Sequence, residues 1–320
     1  MPELPEVETI VNDLRKKIVN RKIVGVWFDA PKLIKKPQPN DLRFKIKDLK
    51  IIDIKRRGKN ILIYLTKNYL LLIHQKMTGH LLYGKWQVKK VSSSKYQVVS
   101  LIKGALEEKV NNYIHFILYL DNGWQVGLSD LRKFAKILFG EKKEIENLAE
   151  LKNLGPEPLD KSFEFEKFKN LISKKRGKIK QVLMDQNIIV GIGNIYSDEI
   201  LWQAKINPFK RTEKLKTEEL KNIYSAMKQI LKKAVKLRGT SVSDFRDMFG
   251  KSGNYVKMLK VYPVRSKKPS ASADFSNGEN RTSNGVYQRE GKFCQRCGAI
   301  IKRVKMGGRS AHFCPKCQKI

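Results

Sequence analysis

The chain has 320 residues, 41% of them hydrophobic, with a formal net charge of +35 and a pI near 10.0. That length suits two domains and a small third around buried cores, and the charge exceeds what solubility requires, so it points to a polyanion such as nucleic acid. No apolar run reaches the roughly 18 residues of a membrane span, since the best candidate, 61–73, is broken by Lys67 and Asn68. With no secretory signal either, a cytoplasmic protein with no membrane partner is expected.

Residues Val7, Ile10, Val11, Leu14 and Ile18 recur at helical spacing and predict a leading helix. Strands are predicted at 23–28, 44–54, 61–66, 69–75, 96–102, 113–120 and 124–128. Asp121-Asn122-Gly123 supplies a hairpin turn between the last two. A short helical stretch at 144–152 precedes Leu154-Gly155-Pro156-Glu157-Pro158, which reads as a linker. The periodicity then becomes helical, at 163–172, 179–185, 195–204 and 217–237, the last opening on Thr217 with Glu218 and Glu219 in its first turn. Residues 263–285 turn to Ser, Asn, Lys and Gly, the composition of a flexible insertion. The expected domains are therefore 1–140, a linker at 141–160, a helical domain at 161–262, the insertion at 263–285 and a cysteine module at 286–320.

That module holds all four cysteines, Cys294-x2-Cys297 and, sixteen residues on, Cys314-x2-Cys317. Two such pairs can close tetrahedrally on one Zn2+, and a set of four thiolates makes the ion structural rather than catalytic. A cytoplasmic protein disfavours the alternative disulfide reading, and His312 could compete as a ligand, although four thiolates place it outside the ligand set. Arg309, in Gly307-Gly308-Arg309-Ser310, reads either as a phosphate contact or as a solvated loop charge.

At the other end, removal of Met1 would leave Pro2 with a secondary amine titrating near ~8, nucleophilic at neutral pH and able to form an iminium with an aldehyde. Glu3 beside it offers acid–base chemistry. Pro5, Glu6 and Glu8 suit a helix start; Pro2 and Glu3 precede the helix and are not explained as a cap. Gly191-Ile192-Gly193-Asn194 precedes a helix and reads as a phosphate site at its N-terminus or as a tight turn. Lys59 follows the basic run Lys55-Arg56-Arg57-Gly58 and reads as a phosphate contact or a catalytic amine. Further basic runs stand at 174–180 and 232–238. Met77 and Phe134 read as core residues, or, beside Arg132, as the means to fill a gap in a base stack.

Taken together, these motifs resemble the formamidopyrimidine-DNA glycosylase family. The resemblance is carried by Pro2-Glu3-Leu4-Pro5-Glu6-Val7-Glu8-Thr9, Arg56-Arg57-Gly58-Lys59, 74–79, 154–159, Leu183-Met184-Asp185-Gln186 through Tyr196, and the cysteine module. It implies an α+β multidomain fold: an N-terminal β-sandwich with a leading helix, a helix–two-turns–helix domain and a C-terminal zinc-finger β-hairpin. It implies a monomeric base-excision-repair enzyme that removes oxidised purines from damaged double-stranded DNA and cleaves the strand by β,δ-elimination. Pro2 would attack the sugar C1′, Glu3 would protonate the opening ring, and Glu6 would hold a network at the site. Lys59 would assist β-elimination, and Arg309 would serve δ-elimination and grip phosphate. Met77, Arg132 and Phe134 would fill the vacated stack, while Tyr113, Lys175, Arg176, Lys180 and Asn194 would contact DNA.

The sequence departs from the family pattern at Gln75-Lys76, where Leu-Gly is usual, at Ala135 for glycine, and at Gln288 in Val286-Tyr287-Gln288-Arg289. Alternatives are an endonuclease VIII-like enzyme for oxidised pyrimidines, disfavoured by Leu4, and a non-catalytic DNA-binding paralogue, disfavoured by intact Pro2, Glu3 and Lys59.

Overall fold

The structure, a computed structural model, describes residues 1–92, 96–242, 244–262 and 291–319. The 263–285 insertion and the Val286–Arg289 segment lie outside these residues.

Helix α1 (Leu4–Ile18) leads the chain, with Pro5 in its first turn and Leu4, Val7, Ile10, Val11, Leu14 and Ile18 all buried. Strand β1 (Ile23–Phe28) and the short β2 (Ile34–Lys36) follow, then α2 (Pro39–Lys45), β3 (Ile51–Arg57), β4 (Asn60–Leu65), β5 (Tyr69–His74) and β6 (His80–Gly84). A hairpin of β7 (Trp86–Lys90) and β8 (Tyr96–Ser100) precedes β9 (Ile114–Leu120), β10 (Gln125–Ser129) and β11 (Lys136–Glu141). One sheet runs β1-β9-β10-β6, the other β2-β11-β5-β4-β3, and all pairings are antiparallel except β2 with β11.

Period-two alternation divides the side chains. Ile61, Ile63, Leu71 and Ile73 meet Leu81, Phe116, Leu118, Val126 and Leu128 between the sheets, with α1 closing the same core. The alternate residues Leu62, Leu70, Leu72 and Leu138 face outward onto α3 (Lys142–Glu146) and α4 (Ala149–Lys152). Because both faces of β4 and β5 are covered, these strands read as nearly continuous apolar runs.

The expected strand at 44–54 is instead the end of α2 and the start of β3. Pro39 at the helix start and Asp41 in the first turn win over the alternation of Phe44 and Ile46, and Phe44 is left exposed. The single helix expected at 144–152 is split at Asn147–Leu148 into α3 and α4. Strands β2, β6, β7 and β11 were not predicted; β6, buried along its whole length at the edge of its sheet, and β11, paired on both sides, lack an alternating polar face.

The 154–158 segment is bonded on both sides. Arg57 donates to the Leu154 and Gly155 carbonyls at 2.7 and 2.8 Å, and Gly155 N–H donates to Gln186 O at 2.9 Å. Glu157 accepts from Arg56 at 2.6 Å and from Gly58 N–H at 2.7 Å, while Arg56 also donates to Glu8 at 2.6 Å. The arginines of the 55–59 run are thus committed to holding the chain together rather than offered to a polyanion.

The helical domain comprises α5 (Phe165–Ser173), α6 (Ile179–Met184), α7 (Asn194–Gln203) and α8 (Thr217–Lys236). Helix α7 is buried nearly all round, and α8 lays Leu220, Ile223, Met227 and Leu231 against it. Strands β12 (Lys302–Met306) and β13 (Arg309–Phe313) form the final hairpin. Its turn is Gly307-Gly308, both at positive φ (49° and 72°), as a two-residue turn of this kind demands. Trp202 of α7 packs with Cys294, Ile301 and Cys314, and the Arg296 guanidinium lies 4.1 Å over its ring. Among the described residues no helix is long and apolar enough to cross a membrane.

Candidate active site

The first turn of α1 is seated on the start of α7. Glu3 is the N-terminal flanking residue of α1, and its own N–H donates to Glu6 Oε2 at 2.8 Å, so it does belong to the helix cap. Its carboxylate does something else: it accepts the N–H groups of Gly193, Ile195 and Tyr196 at 2.6, 2.9 and 3.4 Å. The Gly191–Asn194 turn is therefore an anion site, as its glycines and following helix imply, but its anion is Glu3. The glycines exist for this contact. A Cβ on Gly193 would lie 2.5 Å from the Glu3 carboxyl carbon, and one on Gly191 2.6 Å from Leu4 Cβ.

Glu6 completes the junction. Its Oε1 accepts the Tyr196 hydroxyl and the Thr240 N–H, both at 2.6 Å, and Tyr196 and Thr240 oxygens lie 3.0 Å apart. Burial, then the neighbouring Glu3 charge, raise the Glu6 pKa to about 7. Lys59 reaches in from β4's approach, donating from Nζ to Ile192 O at 3.0 Å. Burial lowers its pKa, Glu3 and Glu6 counter this, and Arg309 on the zinc hairpin adds to the lowering. Lys59 is thus a buried amine with weakened hold on its proton, in the field of both carboxylates.

Pro2 is buried, and with Met1 in place its nitrogen is an amide. It lines a small pocket with Met77, Thr78, Ile195, Thr240 and Phe245, so the chain start and the Met77 loop face one space. Met77 and Phe134 are not core residues: they are 36% and 49% exposed. Arg132 is exposed too, its guanidinium 4.4 Å over the Phe134 ring. Their loop hangs on buried Asp130, which accepts the N–H groups of Phe134 and Ala135, both at 2.7 Å, that of Arg132 at 3.3 Å, and the Thr78 hydroxyl. Lys76, standing where the resemblance expects glycine, takes φ 54° and donates its N–H to His74 Nδ1 at 2.9 Å. Burial and the Lys76 and Lys59 charges push His74 down to about 3, so it is neutral, with Nε2–H as its free donor.

Of the other expected DNA contacts, Lys175 and Arg176 are exposed in the α5–α6 turn and Tyr113 is half-buried beside Asp130, which donates its N–H to Tyr113 O. Asn194 is half-buried, its Nδ2 donating to the Tyr262 hydroxyl at 3.4 Å. Lys180 is a correction. It was expected on the DNA-facing surface, but only 1% of it is exposed, and it is ion-paired to Asp198 at 2.5 Å. The helical period of α6 turns Lys180 inward beside Ile179.

The four cysteine sulfurs lie within 4.8 Å of one another, with Cys297–Cys314 at 3.4 Å and Cys294–Cys317 at 4.0 Å. Tetrahedral thiolates at the usual Zn–S distance stand about 3.8 Å apart, so the set fits one structural zinc ion. His312 lies outside this cluster, its Nδ1 turned to Asp198.

Tyr196, Thr240, Asp130 and Asp198 were not singled out from sequence. For Asp130 a signal existed: an aspartate ending a strand, followed by a turn, commonly accepts nearby N–H groups. Nothing local marks the others.

Family models cover most of the chain: the formamidopyrimidine-DNA glycosylase N-terminal domain over 1–137, its H2TH domain over 154–246, and the zinc finger found in FPG and IleRS over 291–320. A formamidopyrimidine-DNA glycosylase of Pelotomaculum thermopropionicum is 36% identical over the full length of both chains. Crystal structures of Lactococcus lactis Fpg are 28% identical with a TM-score of 0.79. One holds DNA with an N7-benzyl-Fapy-dG lesion, covering 100% of both chains, and another DNA with an abasic site, covering 99% of this chain and all of that one. The chain belongs to the formamidopyrimidine-DNA glycosylase family.

Proposed function

We propose that the protein excises oxidised purines, 8-oxoguanine and formamidopyrimidines, from duplex DNA and then nicks the strand, working as a monomer on the bacterial chromosome in the cytoplasm. The observation that carries this is the seating of Glu3 on the α7 N-terminus, which holds Pro2 at a pocket shared with Met77 and sets Glu3 in the field of the buried Lys59 amine. After Met1 is removed, the Pro2 amine attacks C1′ and the base departs with the C1′–N electron pair, taking a proton from water. The Pro2 N–H proton passes to Glu3, which gives it to the ring oxygen as the C1′–O bond breaks and the sugar opens to an iminium. The three N–H groups keep Glu3 in place while its proton moves. Lys59, with its lowered pKa, takes the C2′ proton, and the C3′–O bond breaks. A second proton leaves C4′ and the C5′–O bond breaks, with Arg309 on the departing phosphate.

Exposed Met77, Arg132 and Phe134 refill the stack when the nucleotide is extruded, an event that otherwise costs a few kcal/mol. Zinc, held by Cys294, Cys297, Cys314 and Cys317, braces the hairpin that carries Arg309.

Borohydride trapping on a duplex with 8-oxoguanine opposite cytosine tests the reading: a covalent adduct at Pro2 is expected. Binding without an adduct leaves a DNA-binding protein only, and an adduct formed preferentially on thymine glycol makes it a pyrimidine enzyme. Retention of Met1 abolishes trapping, because an acylated proline nitrogen is not a nucleophile.

A further inference from the structure

We infer that Lys180, Asp198 and His312 form a buried positioning triad that sets Arg309 against the Pro2 site, so that strand cleavage by δ-elimination depends on it while base release does not. This rests on the reading above, in which Arg309 serves the second elimination.

Three elements meet in the triad. Lys180 Nζ on α6 donates to Asp198 Oδ1 on α7 at 2.5 Å, to Ser310 O on β13 at 3.0 Å, and to Asn194 O at 3.4 Å. The other Asp198 oxygen accepts the His312 N–H at 3.1 Å and its Nδ1–H at 2.9 Å. All three side chains are almost wholly buried.

The placement of these bonds matters more than their number. Ser310 adjoins Arg309, and Asn194 adjoins the Gly193 and Ile195 N–H groups that hold Glu3. One ammonium group therefore bonds the backbone beside Arg309 and the backbone beside the Glu3 seat. Adhesion alone does not call for such a device. The Trp202, Val261, Ile301 and cysteine cluster already glues the zinc module to α7, and a buried ion pair is no better than apolar packing as glue. What it adds is direction, since hydrogen bonds fix a register that apolar surfaces can slide through. The hairpin needs this. Strands β12 and β13 pair only with each other, and β12 is exposed along Lys302–Lys305, so nothing in the sheet itself fixes where the Gly307-Gly308-Arg309 end points.

The test compares the wild type with H312L, H312N and K180M. Asparagine carries an amide N–H near the place of His Nδ1 and keeps the bond to Asp198; leucine does not. Each protein is assayed for zinc content, borohydride trapping on 8-oxoguanine DNA, and the ratio of δ- to β-elimination products on an abasic duplex. In H312L and K180M we expect one zinc per chain and trapping within about twofold of wild type, with the δ-to-β ratio down at least tenfold, and in H312N a near-normal ratio. An unchanged product ratio in H312L and K180M overturns the inference. So does a loss of zinc or trapping in step with the δ product that H312N does not restore, which would make the triad a fold element only. A wild type that does not trap at all defeats the reading of the active site itself, and is distinguished by that result from a failure of the triad.

Discussion

Glu6→Gln separates the electrostatics of the α1–α7 junction from its packing. In the folded chain burial and Glu3 raise the Glu6 pKa from an ordinary 4.5 to about 7. A raised folded pKa means the native state keeps a proton that the unfolded chain gives up. The associated stability is complete below pH 4.5 and is lost as pH rises through 7. At about 1.4 kcal/mol per pH unit the loss is about 3 kcal/mol, a large share of a typical domain's stability. Glutamine is neutral throughout, so it lacks this pH dependence. It also turns an amide N–H toward one of the three donors that Glu6 accepts, from Glu3, Tyr196 or Thr240, at a cost that does not vary with pH. The test is therefore the difference in pH dependence: urea unfolding of both proteins from pH 4.5 to 8. The wild type should lose about 3 kcal/mol relative to Glu6→Gln across that range. Parallel stability curves would refute the claim that a buried, proton-holding Glu6 joins the two domains.

Other perturbations separate the remaining parts. Asp130→Asn turns an N–H toward groups that Asp130 now accepts, freeing the Arg132–Phe134 loop; discrimination between cytosine and adenine opposite the lesion should fall about tenfold, and unchanged discrimination counts against a loop set by Asp130. Lys175→Ala with Arg176→Ala should weaken binding equally on damaged and undamaged duplex and reduce the slope of log K against log salt by about 2; a change confined to damaged DNA would place them at the lesion instead. Chelation of the zinc should change the fluorescence of Trp202, whose Nε1–H donates to Cys294 Sγ at 3.4 Å, and abolish DNA binding in parallel; retained binding after full zinc loss would mean the hairpin holds without the ion.

Much of the fold was legible because its signals are local. The apolar runs and the Asp121–Gly123 turn gave β4, β5, β9 and β10, and the helical periods placed α1 and α5 through α8 to within a residue or two. The two cysteine pairs gave the metal site outright, because their geometry depends on little beyond their spacing. Errors arose where two local signals compete, as at Pro39 and Phe44, or where a strand is too short and too fully covered to alternate, as at β6. At the site, Pro2, Glu3 and Lys59 were readable as reactive groups, but their partners were not. The Gly191–Asn194 turn announces that an anion binds; only a contact across 190 residues of chain determines that the anion is Glu3.

The same limit governs the basic residues, and it changes what the +35 charge means. A cluster of lysines and arginines looks alike in sequence whether it faces DNA or closes on a carboxylate of its own chain. Here Arg56 closes on Glu8 and Glu157, Lys180 on Asp198, and Arg238 on Asp13 and Asp247. Each tie lies within a few residues of a site group: Arg56 three before Lys59, Lys180 bonded to the carbonyl next to Arg309, Arg238 two before Thr240. These cations therefore set the positions of the reacting groups and contribute little to the long-range attraction of a polyanion, since their charges are already matched. Neutralising them should leave the salt dependence of DNA binding unchanged while impairing chemistry, whereas neutralising Lys175 and Arg176 should do the reverse. The two kinds of basic residue, inseparable in the sequence, are separable by that measurement.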